Sequence, residues 1–485
     1  MSSTDDPKQT AILGAGLTGL TAAYVLQRNH VPAQVFEADS VLGGASRTVP
    51  YDGFRFDLGG HRFYTKNQRV GDLVRELLGD ELIAVERVSR IYLDGKFVDY
   101  PLSFFSALAG LGACRSLAVA GSYAAQKMRG LVRKTEERTF EQWVVNRFGR
   151  RLYEIYFKPY SEKVWGIPCS ELGADFAAQR IKGMSFRAAV RSMLLPQKDA
   201  PATLASRFIY PRLGFGRIPE QMAAALPAGA LRLNSPVVRV EHDGRRVTAA
   251  ICRPFDHEPF DVAHGRSGRS EGRETSFEAA NFINTIPINE FVHCLAPAPP
   301  PIVLEAADGL QYRAIVIAFL TLDREQVTPD HWIYFSSGDV FFGRMHEPKN
   351  WSAAMAPEGR TGLVVEVFCF ETDPVWTEPE EALLRRIAKR LAELKLIEEK
   401  QVSGGCIVRL PKAYPLYVND YRRRMDTILD FLRQFGNFQS AGRNGLFRYT
   451  SGDWYIDMGI KAAENLLGQH HDLMAVGAAQ EYAES

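Results

Sequence analysis

Long apolar runs, clustered cysteines and an excess of either charge are all missing from this 485-residue chain. The six cysteines (Cys114, Cys169, Cys252, Cys294, Cys369 and Cys406) lie far apart, with no CxxC pair and no His/Cys cluster. That spacing argues against a metal site or a disulfide framework and for a reducing compartment. A net charge of +1 removes any electrostatic argument for nucleic acid or an anionic membrane as partner. The polar, acidic opening MSSTDDPKQT has no signal-peptide architecture, so a cytoplasmic location is expected. The greasiest stretch, residues 101–125, is split by Arg115 into pieces too short to cross a bilayer. It reads as a buried helix pair, with a lipid-facing surface as the alternative, and no transmembrane segment is expected. The numbers that remain are those of an ordinary soluble protein, 46% apolar and 24% charged. The length is too great for one core, and two or three lobes are expected.

What is present is concentrated near the start. The apolar run Ala11-Ile12-Leu13 leads into Gly14-Ala15-Gly16-Leu17-Thr18-Gly19, a helical pattern follows, and the run Ala33–Phe36 ends at Glu37-Ala38. Strand, glycine turn, helix, strand and acid, in that order, are the parts of a dinucleotide site. Glycines let backbone approach a pyrophosphate, and the helix start offers it free N–H groups and a positive dipole end. Glu37, 21 residues after Gly16, is placed to accept hydrogen bonds from a ribose diol. Further on, Phe54 and Phe56 alternate with polar residues before Gly59-Gly60 breaks the strand at His61. A glycine pair permits close approach to a flat ligand, and a histidine there can hydrogen-bond or move a proton.

The segment Gly43-Gly44-Ala45-Ser46-Arg47 resembles the extension that FAD proteins of the amine oxidase type carry after the ribose acid. With GAGLTGL, VFEAD and FDLGGHRFYTKN, the chain resembles the FAD-binding superfamily of amine oxidases, protoporphyrinogen oxidases, phytoene desaturases and UDP-galactopyranose mutases. GGHRFYTKN is most similar to the mutase and protoporphyrinogen-oxidase-like branch. Gly60 replaces a proline and Tyr64 a histidine of the mutase segment. Tyr156-Phe-Lys-Pro-Tyr160-Ser-Glu-Lys163-Val-Trp165-Gly166 resembles another mutase segment, suited to packing on a nucleotide or flavin ring. The run Gly442-Arg443…Arg448-Tyr449…Asp453, entering a helix, resembles the superfamily's second FAD segment, and Tyr414-Pro415 with Tyr421 resembles what precedes it in mutases.

The resemblance implies an α/β fold. A discontinuous Rossmann-type FAD lobe (residues 9–70, 208–289 and 431–470) joins a mostly antiparallel β substrate lobe (71–100 and 290–430) and a helical insertion (101–207). Residues 253–276, polar and aperiodic, read as a surface loop. It implies FAD held by Gly14, Gly16, Leu17, Thr18, Gly19, Glu37, Ala38, Gly44, Ala45, Ser46, Arg47, Gly59, Gly60, His61, Val238, Thr285, Gly442, Arg443, Tyr449 and Asp453. His61 and Tyr64 are the catalytic candidates. Tyr160, Lys163, Trp165, Tyr414, Tyr421 and Arg448 are those for a small-molecule substrate, and no metal is expected. Two chemistries follow from the superfamily. In the first, an oxidoreductase passes a hydride from a C–N or C–C bond to flavin N5. The alternative is a redox-neutral mutase, in which reduced flavin attacks the anomeric carbon of a nucleotide sugar. Substrate identity, electron acceptor and oligomeric state do not follow from these residues.

Overall fold

The glycine turn is framed by a five-stranded parallel sheet, in the order Phe438–Ser440, Asn281–Asn284, Thr10–Leu13, Ala33–Phe36, Leu231–Arg232. Segments more than 400 residues apart meet in it, as a discontinuous Rossmann-type lobe requires. The computed structural model describes residues 9–93, 95–99, 113–132, 137–174, 207–256 and 270–477. The central strand Thr10–Leu13 is buried throughout, which is why it reads as a continuous apolar run rather than an alternation. Helix Leu17–Arg28 packs against the long helix Gly452–Leu466, and Gly459 makes their contact close. A Cβ at Gly459 would lie 2.5 Å from the Thr18 carbonyl oxygen.

A second sheet of seven strands carries the other lobe: Val402–Pro415, Tyr312–Leu322, Thr361–Cys369, Arg344–His346, Trp332–Phe335, Ser89–Leu93, Lys96–Asp99. Its pairings are antiparallel except Trp332–Phe335 with Ser89–Leu93. Helix Glu380–Glu393 covers one face through Leu383, Ile387 and Leu391, which are buried in one apolar cluster with Val316, Val365 and Phe335. The opposite face, carrying Ile315, Ile317 and Phe368, joins a larger cluster with Trp165 and Tyr414. Alternate side chains of each strand thus serve two compartments.

Within the expected helical insertion, helices Ala113–Val132, Phe140–Phe148 and Lys158–Trp165 are described, with a π-helical turn at Tyr153–Phe157. Residues 101–112 of the apolar stretch lie outside the described residues. No helix among the described residues is long and apolar enough to cross a membrane.

The expected loop 253–276 is corrected in part. Phe255–Asp256 pairs with Ser270–Glu271, and Thr275–Glu278 adds antiparallel to Val247–Cys252. Phe277 turns back onto Phe36, ring centres 5.1 Å apart, and that contact gives the short strand an apolar anchor. Residues 257–269 lie outside the described residues.

Candidate functional site

The glycine turn has the geometry of a cradle. Gly14 takes φ +104°, a left-handed conformation that a side chain resists, and Thr285 braces it by donating to the Leu13 carbonyl at 2.8 Å. At Gly16 the space where a Cβ would stand is open, with no atom within 4 Å. Helix Leu17–Arg28 starts at Gly16 with no side-chain cap, leaving its first N–H groups to a ligand. Glu37 accepts from the Ala15 and Asp39 backbone N–H groups at 2.8 and 3.0 Å, so its carboxylate is aimed before any ligand arrives. Burial raises its pKa, and the two N–H groups pull the other way.

Some of the further candidates lie against this turn. Gly43 pairs with Gly16 in an isolated bridge, and a Cβ at Gly44 would meet the Gly16 Cα at 3.6 Å. Residues Gly44–Ser46 form a short 3₁₀ turn, after which Arg47 pairs with Asp39 at 2.5 Å. Gly442, φ +83°, lies against Thr18, whose hydroxyl donates to the Tyr455 carbonyl at 3.1 Å. Val238 stands at a register shift between its strand Val237–His242 and the neighbour Val247–Cys252. Asp453 lies in the first turn of helix Gly452–Leu466 and accepts from the Ser451 hydroxyl. Three buried polar atoms, His61 Nδ1, Asn444 Oδ1 and Thr450 Oγ1, have no hydrogen-bond partner among the described residues, and all three belong to segments expected to line a cofactor. An open glycine turn, an aimed carboxylate and orphaned polar atoms along the same seam fit a bound dinucleotide.

A cluster of buried polar side chains gathers around His61. Neighbouring strands bring Arg344 opposite Glu366, and the guanidinium donates from Nε to the carboxylate at 2.7 Å and from Nη2 to its other oxygen. Glu366 is fully buried, and the point where a Gly59 Cβ would stand is 3.8 Å from its oxygens. Burial opposes the Arg344 charge, and Glu366 more than offsets that, raising its pKa. Burial, then the charges of Arg443 and Arg344, push the His61 pKa down to about 3. His346 is lowered for the same kind of reason, by burial, then Arg344, then His61. Both imidazoles are therefore neutral near pH 7, so His61 offers a hydrogen bond rather than a group that titrates there. This corrects the expectation of proton transfer near neutrality.

Aromatic rings complete the pocket. Tyr414 and Tyr449 meet edge to face at 5.0 Å, and Trp165 approaches both, at 6.2 and 5.8 Å. The Arg443 guanidinium lies 5.1 to 5.6 Å from the rings of Tyr414, Tyr449 and Tyr455, and donates to the Tyr455 hydroxyl at 2.9 Å. Tyr160 stands edge-on to Tyr334 at 5.6 Å. Burial raises the Tyr160 and Tyr414 pKa values, so both phenols stay protonated.

Other candidates have different partners. Lys163 donates to the Phe335 and Ser337 carbonyls, both at 2.6 Å, and burial lowers its pKa to about 8. It ties helix Lys158–Trp165 to the seven-stranded sheet. Arg448 donates to the Met474 and Val476 carbonyls at 2.8 and 2.6 Å, which pins the segment after the last long helix. Carbonyls satisfy both cations, so neither is set up for a substrate phosphate. Tyr421 stacks on Tyr417 at 4.3 Å, and Tyr64 packs into the apolar cluster around Phe63 and Trp332.

Sequence reasoning missed Arg344, His346 and Glu366, which sit in strands whose apolar neighbours mask them. It also missed Asp57. This buried carboxylate accepts from Thr48 Oγ1 and Tyr210 Oη, both at 2.6 Å, and from the Phe215 N–H at 3.1 Å. Phe215 in turn stacks on His61, ring centres 5.3 Å apart. The one available signal was Asp57 standing two residues before the glycine pair.

A family model described as flavin containing amine oxidoreductase matches residues 17–465. A probable UDP-galactopyranose mutase from Klebsiella pneumoniae is 27% identical over 177 residues, 35% of this chain and 44% of the mutase. The matched stretch thus spans under half of that relative's length. Among solved structures, a reduced UDP-galactopyranose mutase superposes with a TM-score of 0.80 at 20% identity, over 98% of this chain and 96% of that one. A putative protoporphyrinogen oxidase from Exiguobacterium sp. 255-15 superposes with 0.69 at 18% identity, over 97% and 100%. At these identities the structural likeness bears on the fold.

Proposed function

Because the chain belongs to the flavin-containing amine oxidoreductase family, with FAD as its cofactor, we propose that it rearranges an anionic nucleotide sugar without net electron transfer. When bound, FAD supplies either a hydride acceptor or, reduced, a nucleophilic ring nitrogen.

The observation that carries this reading is the charge of the pocket. Arg344 and Arg443 both act on His61 and only Arg344 pairs with a carboxylate, Glu366, while His61 and His346 are neutral and Tyr160 and Tyr414 protonated. The net positive charge repels the ammonium group of an amine and attracts a diphosphate. Arg344, held flat by Glu366, can share its outer N–H edge with a phosphate oxygen. Trp165, Tyr414 and Tyr449 offer ring faces to a base or sugar. His61 can hydrogen-bond a substrate or cofactor edge through its orphaned Nδ1. The mutase among the relatives adds support.

A second reading, hydride removal from a C–N or C–C bond of an organic donor, draws support from Tyr64. It takes the place of the second histidine of the mutase segment and packs among apolar side chains.

Ligand binding separates the two. The oxidised, FAD-loaded protein is titrated with uridine diphosphate and with putrescine while the flavin absorption is followed. The proposal expects a saturable shift with the diphosphate and none with the amine. A shift with the amine alone overturns it.

A further inference from the structure

We infer that a separate anion subsite lies at Trp332, beyond the tyrosines of the pocket, and takes a phosphate or carboxylate group. Trp332 is 5% exposed, yet its indole Nε1 has no hydrogen-bond partner among the described residues. The guanidinium carbons of Arg62 and Arg87 lie 5.6 and 5.5 Å from the centre of that ring. Arg62 Nη1 is buried and also lacks a hydrogen-bond partner, and Arg62 enters no ion pair among the described residues. A ring face attracts a guanidinium but leaves its charge in place. The Arg62 guanidinium beside the indole therefore holds a positive charge that an anion relieves.

The nearby acids are already committed. Asp330 accepts from Arg90 Nε at 2.8 Å, and Glu86 pairs with Arg207. Arg87 Nε donates to the Ser89 hydroxyl at 3.3 Å, which orients that side chain toward the same strand pair. An oxyanion is the ligand that such donors recognise. It takes an indole N–H and the fork of a guanidinium together, as a metal cation or an amine cannot.

The position links the subsite to the chemistry. Arg62 directly follows His61 in the chain. Trp332 and Tyr334 share a face of their strand, rings 6.4 Å apart, and Tyr334 reaches Tyr160 at 5.6 Å. A row of rings thus runs from the pocket to the subsite. The anion is either an arm of the substrate or a free inorganic ion, and binding to Arg62 and Trp332 is common to both. The inference does not depend on which reaction the pocket performs.

Inorganic phosphate is titrated into the full-length, FAD-loaded protein at constant ionic strength while tryptophan fluorescence is followed. The expected result is a saturable change that is absent in Trp332→Phe. In Arg62→Gln the affinity falls at least about tenfold, the scale of a lost charge-assisted contact, and Arg62→Lys falls between. FAD content shows that each variant is folded. Two results overturn the inference: Arg62→Gln titrating like the wild type, or a wild type with no saturable response to phosphate. Phosphate that competes with substrate in the wild type and not in Arg62→Gln marks a substrate arm. Saturable binding without competition supports a site for the free ion.

Discussion

Arg344 and Glu366 face each other across two neighbouring strands, and the guanidinium grips both carboxylate oxygens of a fully buried glutamate. The pair lies beside Gly59, and the Arg344 charge acts on His61. Removing one partner leaves a charge unmatched where water is scarce.

Arg344→Met strands the Glu366 carboxylate and is expected to lower stability by about 3–5 kcal/mol. Glu366→Gln costs less, because the Arg344 side chain keeps 20% of its surface in solvent. The double variant recovers part of the loss, since no unpaired charge remains. Thermal unfolding of the three proteins checks the order. Equal losses in both single variants contradict it.

His61→Ala is expected to cut turnover roughly a hundredfold, the scale of a lost catalytic hydrogen bond, with FAD still bound. Because the His61 pKa is pushed to about 3, its own ionisation leaves no inflection in the turnover profile between pH 5 and 8. Turnover near wild type reduces His61 to a structural residue. A wild-type inflection near pH 6.5 that vanishes in the variant contradicts the neutral assignment.

The cofactor lobe was legible because its chemistry is local. A glycine turn, a helix start and a spaced acid sit within forty residues and read directly as Gly14, Gly16 and Glu37. The return of the chain at Gly442 was legible too, and the structure brings it against Thr18 across more than 400 residues. The buried ion pair was not legible, because Arg344 meets Glu366 only when two strands pair, and nothing in FFGRMHEP or VVEVFCF announces that register. Lys163 and Arg448 misled for a related reason. A cation in a recognised segment reads as a ligand for phosphate, and only tertiary contacts reveal the carbonyls that occupy it.

Asp57 makes stability depend on pH. Burial raises its pKa to about 7, against three donors that lower it, while the unfolded chain holds it near its ordinary value. The folded state therefore binds the extra proton, and this group removes stability as pH rises from about 4 to about 7. Asp57→Asn cannot ionise. The difference in melting temperature between wild type and variant is expected to move in the variant's favour as pH rises from 5 to 7.5. A pH-independent difference contradicts this.

Gly166 ends helix Lys158–Trp165 with φ +70°, and a Cβ there would fall 2.4 Å from the Arg313 guanidinium carbon. Arg313 donates to the Val164 and Lys163 carbonyls and so caps that helix end. Gly166→Ala is expected to destabilise by about 1–3 kcal/mol and to loosen Trp165 in the pocket. Unfolding by denaturant, with an unchanged melt as the contrary result, tests it.

The central claim is most directly tested by supplying a nucleotide sugar under anaerobic conditions to the oxidised and to the dithionite-reduced protein. The account predicts interconversion of sugar ring forms by the reduced protein alone, with the flavin spectrum unchanged after many turnovers. Bleaching of the oxidised flavin in proportion to substrate consumed, reversed by oxygen and with no isomer formed, contradicts it.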